Sequence, residues 1–227
     1  MYGVLAVNKP VDWTSHDVCN LIKRKFKIKK VGHTGTLDPK ATGVLVLLLG
    51  RFTKLASRFA DDTKDYSGVL ELGKKTSTQD AEGEIVEEKA WDYISESELM
   101  DVIASFKGKQ KQIPPMASAL KKNGVRLYKL ARKGHEVERE PRDIEIFDIK
   151  CNKIDLPEID FFVSVSKGTY VRTIANDIGE KLGTCAYLKS LCRVRSGNYS
   201  VGDALNVEDI KNFTEISQLL NYIKKDL

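Results

Sequence analysis

The sequence predicts an α+β protein in which a central mixed, mainly antiparallel sheet is flanked by helices. Segments with a period of two residues and segments with a period near 3.6 follow one another, but without strict βαβ alternation. The 227 residues are 41% hydrophobic and 30% charged, which is typical of a globular protein with a sizeable core. Global disorder is therefore excluded.

Strands are predicted where apolar and polar residues alternate, or where a short run is wholly apolar. The run 44–49 is wholly apolar and has the length of a strand, so it suits a strand buried on both faces. The strand 84–88 is predicted because the chain returns there after a turn. The other strands are predicted at 3–8, 64–72, 144–154, 159–166 and 187–195.

Helices are predicted from their end signals and their apolar spacing. Thr14 begins a Thr-x-x-Asp capping pattern, Ser95 caps a second helix, and Gly183 ends a third. The glycine- and threonine-rich segment 29–40 is predicted to contain no regular element. The predicted helices cover 14–26, 52–60, 95–106 and 170–182, with two short helical patterns in 207–227.

Charge is strongly segregated along the chain. Residues 1–60 carry 11 basic and 3 acidic side chains, residues 61–105 carry 4 and 13, and residues 106–142 again carry 11 and 3. Two basic blocks around an acidic one predict two arms of an electropositive surface that attracts a polyanion. Solvated helix faces would give the same counts, so charge alone leaves both interpretations open.

Several classes of protein are disfavoured by what the sequence does not contain. The longest uncharged apolar run, 41–50, is about half as long as a membrane helix. The first residues show no basic region followed by an apolar core, so no secretory signal is expected. The four cysteines form no Cys-x-x-Cys pair and the three histidines are scattered. We therefore expect a cytoplasmic protein with reduced thiols, no metal and no membrane association.

The loop 31–43 is the most informative segment for chemistry. Its three glycines permit a tight turn that approaches a ligand closely. Asp38 precedes Pro39, an arrangement that also suits a helix cap or a turn, so a purely structural role stays open. His33 and the adjacent apolar run favour a carboxylate at the edge of a dry pocket.

The segment 32–45, GHTGTLDPKATGVL, resembles the signature of the TruB family of tRNA pseudouridine synthases. The resemblance covers nearly all of residues 3–200 and implies the pseudouridine synthase fold with a basic insertion. Further motifs that resemble the family, in the family's order, are Asn-Lys-Pro at 8–10, Lys-Asp-Tyr at 64–66, DAEGE at 80–84, IPPM at 113–116, SALK at 118–121 and SKGTYVRT at 166–173.

This resemblance implies that the protein converts uridine 55 in the T loop of tRNA into pseudouridine. The reaction breaks the N1–C1′ bond, turns the base in place and rejoins it through C5, so neither a cofactor nor a metal is implied. The base must first leave its stack, which costs a few kcal/mol. The implied partner is the T arm of tRNA, and we expect a monomer that requires no protein partner.

The family pattern also implies roles for individual residues. Asp38 is the catalytic carboxylate, Arg172 is the cation that keeps it charged in a dry pocket, and Tyr66 is the pocket tyrosine. Whether Asp38 adds covalently or removes a sugar proton stays open. The implied substrate-binding residues are His33, Lys9, Lys54, Tyr170 and Leu191.

Residues 1–205 form the predicted catalytic domain, which contains this pocket. Within this domain, residues 121–142 are predicted to be a basic insertion that binds RNA. Residues 206–227 are predicted to form a short helical tail that is too small for the C-terminal PUA module of bacterial relatives. The predicted RNA contacts in the insertion are Lys121, Lys122, Arg126, Lys129, Arg132, Lys133 and Arg142.

Two alternative functions stay open. The same fold could serve a non-catalytic RNA-binding or tRNA-folding protein whose pocket is idle. It could also serve a guide-RNA-dependent enzyme that modifies ribosomal RNA. Activity of the isolated protein on a T-arm stem-loop would distinguish all three functions.

Overall fold

The computed structural model of the protein consists of two units of strands and helices. The structure describes residues 1–122, 124–131 and 133–225, apart from the side chain of Ala60. Unit 1 comprises Met1–Ser67 and Leu191–Leu227, and unit 2 comprises Gly68–Ser190.

Fourteen strands and seven α-helices are present in the described residues. The strands are β1 (Gly3–Lys9), β2 (Val31–His33), β3 (Thr42–Leu49), β4 (Lys64–Leu72), β5 (Lys74–Thr76), β6 (Ile85–Glu88), β7 (Gly108–Gln112), β8 (Lys121–Lys122), β9 (Val125–Arg126), β10 (Arg142–Asp155), β11 (Glu158–Val165), β12 (Ala186–Ser196), β13 (Tyr199–Ser200) and β14 (Leu205–Asn206). The helices are α1 (Ser15–Lys25), α2 (Ala56–Ala60), α3 (Glu96–Ala104), α4 (Leu127–Ala131), α5 (Val171–Lys181), α6 (Val207–Asn212) and α7 (Ile216–Leu220). A 3₁₀ helix covers Gly50–Leu55.

In unit 1 the strands are hydrogen-bonded in the order β14-β1-β3-β12, and β2 also pairs with β3. β1 and β3 are antiparallel, and Lys9 at the end of β1 faces Gly43 at the start of β3. On the other side of β3, Arg193 of β12 faces the same glycine in a parallel pairing. The start of β3 is therefore flanked by two strands that each carry a cationic residue at that level.

The core of unit 1 forms around β3, which is buried along seven of its eight residues. Val4, Val46 and Leu48 lie in one apolar cluster with Phe52 and Phe59 of the following helical segment. α1 covers the sheet with its buried residues, and its first turn is fixed by the capping box that the sequence predicts. Unit 1 is thus a small α+β layer with a dry interior.

In unit 2, which contains β4 from Gly68 onward, the strands follow the order β4-β11-β10-β7, with antiparallel pairings between β11 and β10 and between β10 and β7. The residues of β4 before Gly68 belong to unit 1. α5 is the most deeply buried helix described, because eight of its eleven residues are buried. Within the predicted basic insertion, β8 and β9 form a short hairpin that leads into α4. No described helix of either unit has both the length and the hydropathy that a membrane span requires.

The predicted fold class is confirmed, since parallel pairings of β1 with β14 and of β12 with β3 occur among antiparallel ones. The prediction that 29–40 contains no regular element is wrong, because β2 forms there by pairing with the buried strand β3. Three further features, β7, the β8–β9 hairpin and α4, were not predicted from the sequence.

The predicted C-terminal tail makes defined contacts within unit 1. Asn206 of β14 pairs with Asn8 of β1, and Lys224 forms an antiparallel bridge with Val4. Its two short helices match the two helical patterns expected from the sequence. The domain boundary at residue 205 stays a prediction.

Replacing Leu48 by alanine is expected to lower the free energy of unfolding by about 2–5 kcal/mol, because a fully buried side chain leaves a cavity. Urea unfolding followed by circular dichroism measures this loss. The control is Leu220→Ala, at a side chain that is 43% exposed, and its effect should stay within about 0.5 kcal/mol. Equal losses in the two variants would contradict the assignment of the core.

Candidate active site

The loop that carries Asp38 joins β2 to β3 in unit 1. Its first residue is tied to β3, because the Thr34 amide donates a hydrogen bond to the Val46 carbonyl at 3.1 Å. The Ala41 amide donates to the Asp38 carbonyl at 3.1 Å and closes a turn around Pro39. Asp38 itself is half-buried. The carboxylate is thus held in a turn and is partly shielded from water.

Arg193 holds the first half of this loop in place through hydrogen bonds from its side chain. Its side chain is almost fully buried, with 1% of the residue exposed. Its guanidinium donates to the Val44 carbonyl at 2.8 Å, to the Gly35 carbonyl at 3.1 Å and, more weakly, to the Thr36 carbonyl at 3.5 Å. One planar cation therefore satisfies several main-chain acceptors that an irregular loop cannot pair by itself.

Lys9 holds the second half of the loop in a similar way. It has no exposed surface, and its ammonium donates to the carbonyls of Trp13 at 2.6 Å, Pro10 at 3.0 Å and Pro39 at 3.1 Å. These contacts connect the residue after Asp38 to the start of the chain. Lys9 stays a predicted substrate-binding residue, and of these three carbonyls only that of Pro39 belongs to the loop.

Ser15 fixes the residue that precedes Asp38. The Leu37 amide donates to the Ser15 hydroxyl at 2.8 Å, and the hydroxyl donates to the Leu37 carbonyl at 3.0 Å. Leu37 is itself buried in the core. Both neighbours of Asp38 are therefore pinned by side chains that come from other segments of unit 1.

Gly43 is required at the point where the loop enters β3. Its φ of +101° lies in the left-handed region, and a Cβ there would collide with the main chain of Arg193. A glycine thus allows β12 to pack directly against the start of β3. This explains one of the three glycines that the sequence analysis noted in the loop.

His33 lies at the end of β2, directly before the loop, and is half-buried. Its Nδ1 atom is buried and has no hydrogen-bond partner among the described residues. Burial lowers the pKa of His33, and the positive charge of Arg193 lowers it further. The imidazole is therefore neutral near pH 7.

The predicted pocket tyrosine, Tyr66, is buried in β4 with 7% of its surface exposed. The neighbouring Asp65 accepts a hydrogen bond at 2.5 Å from Arg195 of β12. Leu191 is half-buried, and its carbonyl accepts from the Thr42 hydroxyl at 3.4 Å. Lys54 is exposed in the 3₁₀ helix.

In unit 2, Arg172 forms a buried ion pair with Asp80. The Arg172 Nη1 and Asp80 Oδ2 atoms are 2.6 Å apart, and 7% and 10% of the two side chains are exposed. Arg172 also donates to the Ala117 carbonyl at 3.0 Å. Asp80 accepts two further hydrogen bonds through Oδ1, from the Thr78 hydroxyl at 2.5 Å and the Glu82 amide at 3.0 Å. The acidic residue that opens the DAEGE motif therefore fixes the guanidinium.

Gln112 positions the start of α5, which carries Arg172. Its side chain is 4% exposed, accepts from the Tyr170 amide at 2.8 Å and donates to the Tyr170 carbonyl at 3.1 Å. The Arg172 guanidinium carbon lies 5.9 Å from the centre of the Tyr170 ring. Neither Asp80 nor Gln112 was predicted from the sequence as a site residue, although Asp80 opens the DAEGE motif.

The predicted RNA contacts of the insertion are exposed wherever the structure describes them. Lys122 donates to the Glu138 carbonyl at 2.5 Å, and the Arg126 guanidinium lies 6.0 Å from the centre of the Tyr128 ring. Arg132 lies outside the described residues. The exposed basic residues are Lys121, Lys122, Arg126, Lys129, Lys133 and Arg142.

The pairing of Asp38 with Arg172 stays a prediction, because Asp38 belongs to unit 1 and Arg172 to unit 2. Among the residues that the structure describes, no three His, Cys, Asp or Glu side chains group together as metal ligands.

Comparison with solved structures identifies the fold. A chain of the Cbf5-Nop10-Gar1 complex matches with a TM-score of 0.72 and 28% identity, over 92% of this chain and 54% of that one. A chain of the archaeal box H/ACA sRNP Nop10-Cbf5 complex matches with a TM-score of 0.67 and 27% identity, over 92% and 52%. The protein thus spans about half the length of these solved chains, and it has the fold of the pseudouridine synthases.

Sequence comparison narrows this class to one family. Residues 23–171 match the family model described as TruB family pseudouridylate synthase (N terminal domain), and residues 172–223 match the tRNA pseudouridylate synthase B C-terminal domain. The chain is 46% identical to tRNA pseudouridine synthase B of Geobacter sulfurreducens, over 98% of this chain and 73% of the relative. It is 50% identical to the protein of that name from Clostridium tetani, over 92% and 73%. The chain belongs to the TruB family of pseudouridylate synthases.

His33 is expected to titrate below its ordinary pKa of 6.5, because the buried ring is unfavourable to protonate. The histidine ring signals in an NMR pH titration measure this value, and His33→Gln identifies the signal. Since the pKa is lower in the folded state, His33 contributes stability above pH 6.5 that is lost as the pH falls towards the folded pKa. The loss is about 1.4 kcal/mol for each pH unit that separates the folded and unfolded pKa values. A signal that titrates at or above pH 6.5 would contradict this prediction.

Asp80→Asn is expected to lower the free energy of unfolding by about 3 kcal/mol, because it removes an ion-pair partner from a buried guanidinium. Chemical denaturation measures the change. The matched control is Asp155→Asn, which breaks an exposed ion pair with Lys153 and should cost at most about 1 kcal/mol. A loss at Asp80 no larger than the loss at Asp155 would show that the buried pair does not stabilise unit 2.

Proposed function

We propose that the protein isomerises uridine 55 in the T loop of tRNA to pseudouridine, with Asp38 as the reacting carboxylate. The observation that carries the proposal is the fixed loop of unit 1, in which both neighbours of Asp38 are pinned by buried side chains. Membership of the TruB family supports the reaction class. The names of the similar proteins support tRNA as the substrate.

A fixed carboxylate suits this reaction because the chemistry needs positioning rather than an external reagent. The N1–C1′ bond breaks, the base turns, and a C5–C1′ bond forms. One proton leaves C5 and one is gained at N1, so atoms balance without water or a redox partner. A group that is already held in place does not have to be ordered during the reaction, which lowers the barrier.

The uridine must be extruded from the RNA to reach a half-buried carboxylate, and the pocket offsets the cost of unstacking. We assign Tyr66 as the ring that stacks on the extruded base, since it is an aromatic side chain held in a strand. His33, Tyr170 and Leu191 are assigned to the walls of the pocket. His33 is neutral, so it can fill the space left by the base without carrying a charge into the RNA stack.

Arg172 is assigned as the cation of the reaction centre. Its ion pair with Asp80 and its bond to the Ala117 carbonyl fix the plane of the guanidinium. A fixed and permanently charged group favours the anionic form of a catalytic carboxylate in surroundings of low polarity. Asp80 and Gln112 act through Arg172 and are positioning residues.

The insertion supplies contacts to the RNA backbone. Its exposed lysines and arginines provide charges that displace counterions from phosphates. Lys54 is proposed to contact the RNA because it is exposed in unit 1. The protein is proposed to act on the T arm as a monomer in the cytoplasm.

A second candidate function is guided modification of another RNA. The solved chains that share the fold come from Cbf5 complexes with Nop10, which favours this candidate. An idle pocket in an RNA-binding or tRNA-folding protein is the third candidate. Activity of the purified chain on an isolated T-arm stem-loop favours the first candidate over both.

Asp38→Asn is expected to reduce pseudouridine formation on an unmodified tRNA transcript to below about one-thousandth of wild type, because an amide can neither add to the substrate nor accept the proton. Modification mapping at the T-loop uridine measures the product. Binding of the transcript should change little, since the loop keeps its main-chain contacts.

The matched control is Asp12→Asn, which alters an exposed carboxylate of the same unit that pairs with Lys40 at 2.7 Å. This control should retain nearly full activity. Wild-type protein that forms no pseudouridine in the T loop would refute the proposed function. Full activity in Asp38→Asn would refute the role of the carboxylate while leaving the reaction intact.

A further inference from the structure

The end of α1 and the segment that joins it to β2 carry six basic residues and no acidic residue between positions 23 and 30. The two apolar residues of this segment that follow α1, Phe26 and Ile28, are buried. The six basic side chains are all exposed. The apolar residues of this segment lie in the core and its basic residues face solvent, so its exposed surface is purely cationic.

A second segment of unit 1 extends this surface. The Gly50 amide donates to the Lys30 carbonyl at 2.9 Å, which brings the start of the 3₁₀ helix beside the basic segment. Arg51 is exposed there, and its guanidinium carbon lies 3.7 Å from the centre of the Tyr2 ring. The stacked ring orders this arginine and leaves its donors available. We call the following residues the α1 basic surface: Lys23, Arg24, Lys27, Lys29, Lys30 and Arg51.

The α1 basic surface differs from the ion-paired lysines elsewhere on the protein because its members have no acidic partner among the described residues. Examples of ion-paired lysines are Lys89, which lies 3.1 Å from Glu87, and Lys107, which lies 3.0 Å from Asp148. Among the residues that the structure describes, no member of the α1 basic surface forms an ion pair. Clustered like charges repel one another, so the folded protein maintains this surface at a cost in stability.

We propose that the α1 basic surface binds the sugar–phosphate backbone of the substrate RNA, as a contact separate from the insertion. This inference rests on the proposed function for the identity of the RNA. Lys30 directly precedes β2, and His33 at the end of β2 begins the Asp38 loop. Lys30 lies beside Gly50 after the end of β3, whereas the Asp38 loop enters β3 at its start, so the eight residues of β3 place the two about 26 Å apart. The α1 basic surface therefore contacts RNA that extends beyond the reacting base.

Neither helix stabilisation nor membrane binding accounts for the charge of this surface as well as RNA does. Lys23 and Arg24 lie in the last turn of α1, where cations stabilise the helix dipole, but Lys27, Lys29 and Lys30 lie outside the helix. A membrane surface is disfavoured because Phe26 and Ile28 point into the core, so no apolar face accompanies the charge. Phosphates of RNA need charge alone and fit the surface better.

The test uses the full chain with Lys27→Gln, Lys29→Gln and Lys30→Gln combined. The matched control neutralises three exposed lysines that pair with acids: Lys89→Gln, Lys107→Gln and Lys153→Gln. Fluorescence anisotropy measures the Kd of an unmodified tRNA transcript and of a T-arm stem-loop between 50 and 200 mM salt. Binding is read without turnover, so a failure of the proposed catalysis would not obscure the result. Urea unfolding confirms that both variants fold.

The α1 variant is expected to bind tRNA about 10- to 100-fold more weakly near 0.1 M salt, with a log–log salt slope smaller by about 2 to 3. Weaker binding of the stem-loop as well supports a contact with the T arm. A loss confined to full tRNA supports a contact with the rest of the molecule. The proposal is overturned if neither RNA shows a changed Kd or slope, or if the control variant loses affinity equally.

Discussion

The positioning of the Asp38 loop depends on two buried cations that bind main-chain carbonyls. Arg193 and Lys9 lie on the strands either side of β3, at the level of Gly43, and their hydrogen bonds reach carbonyls on both sides of Asp38. An irregular loop has few partners for its own carbonyls, and burial without partners would be costly. The cations supply the missing donors, and the carbonyl dipoles in turn offset the cost of removing the cations from water. Loop and cations are therefore stable only together.

Cations have a different role in each environment of the protein. In unit 1 the buried ones act on the main chain, whereas in unit 2 Arg172 is buried against a carboxylate, Asp80. At the surface, several lysines pair with acids, whereas the α1 basic surface has no ion pair among the residues that the structure describes. A net charge of +5 thus understates how unevenly charge is distributed. The role of each cation, structural or RNA-binding, depends on the groups that it contacts in the fold. The amino-acid composition does not show these contacts.

The sequence predicted the elements whose signals are local. The Thr14 cap, the apolar run of β3 and the alternation in β10 and β11 each depend on neighbouring residues, and each was found. β7 was missed because its sequence, GKQKQ, is polar, and its one deeply buried residue, Gln112, is buried for a hydrogen bond to Tyr170. The resemblance supplied Asp38, Tyr66 and Arg172. It did not supply Gln112 or the bracing role of Arg193, because those roles arise from contacts 58 and about 150 residues apart in the chain.

Arg193 also contributes positive charge beside the loop. Burial is the main reason that the pKa of His33 is lowered, and the charge of Arg193 lowers it further. The Arg193 guanidinium therefore disfavours additional cations and favours anions near the beginning of the loop. Its partners are carbonyls, which orient the guanidinium without neutralising its charge. Binding to carbonyls therefore lets one residue brace the loop and make its surroundings favourable to an anion.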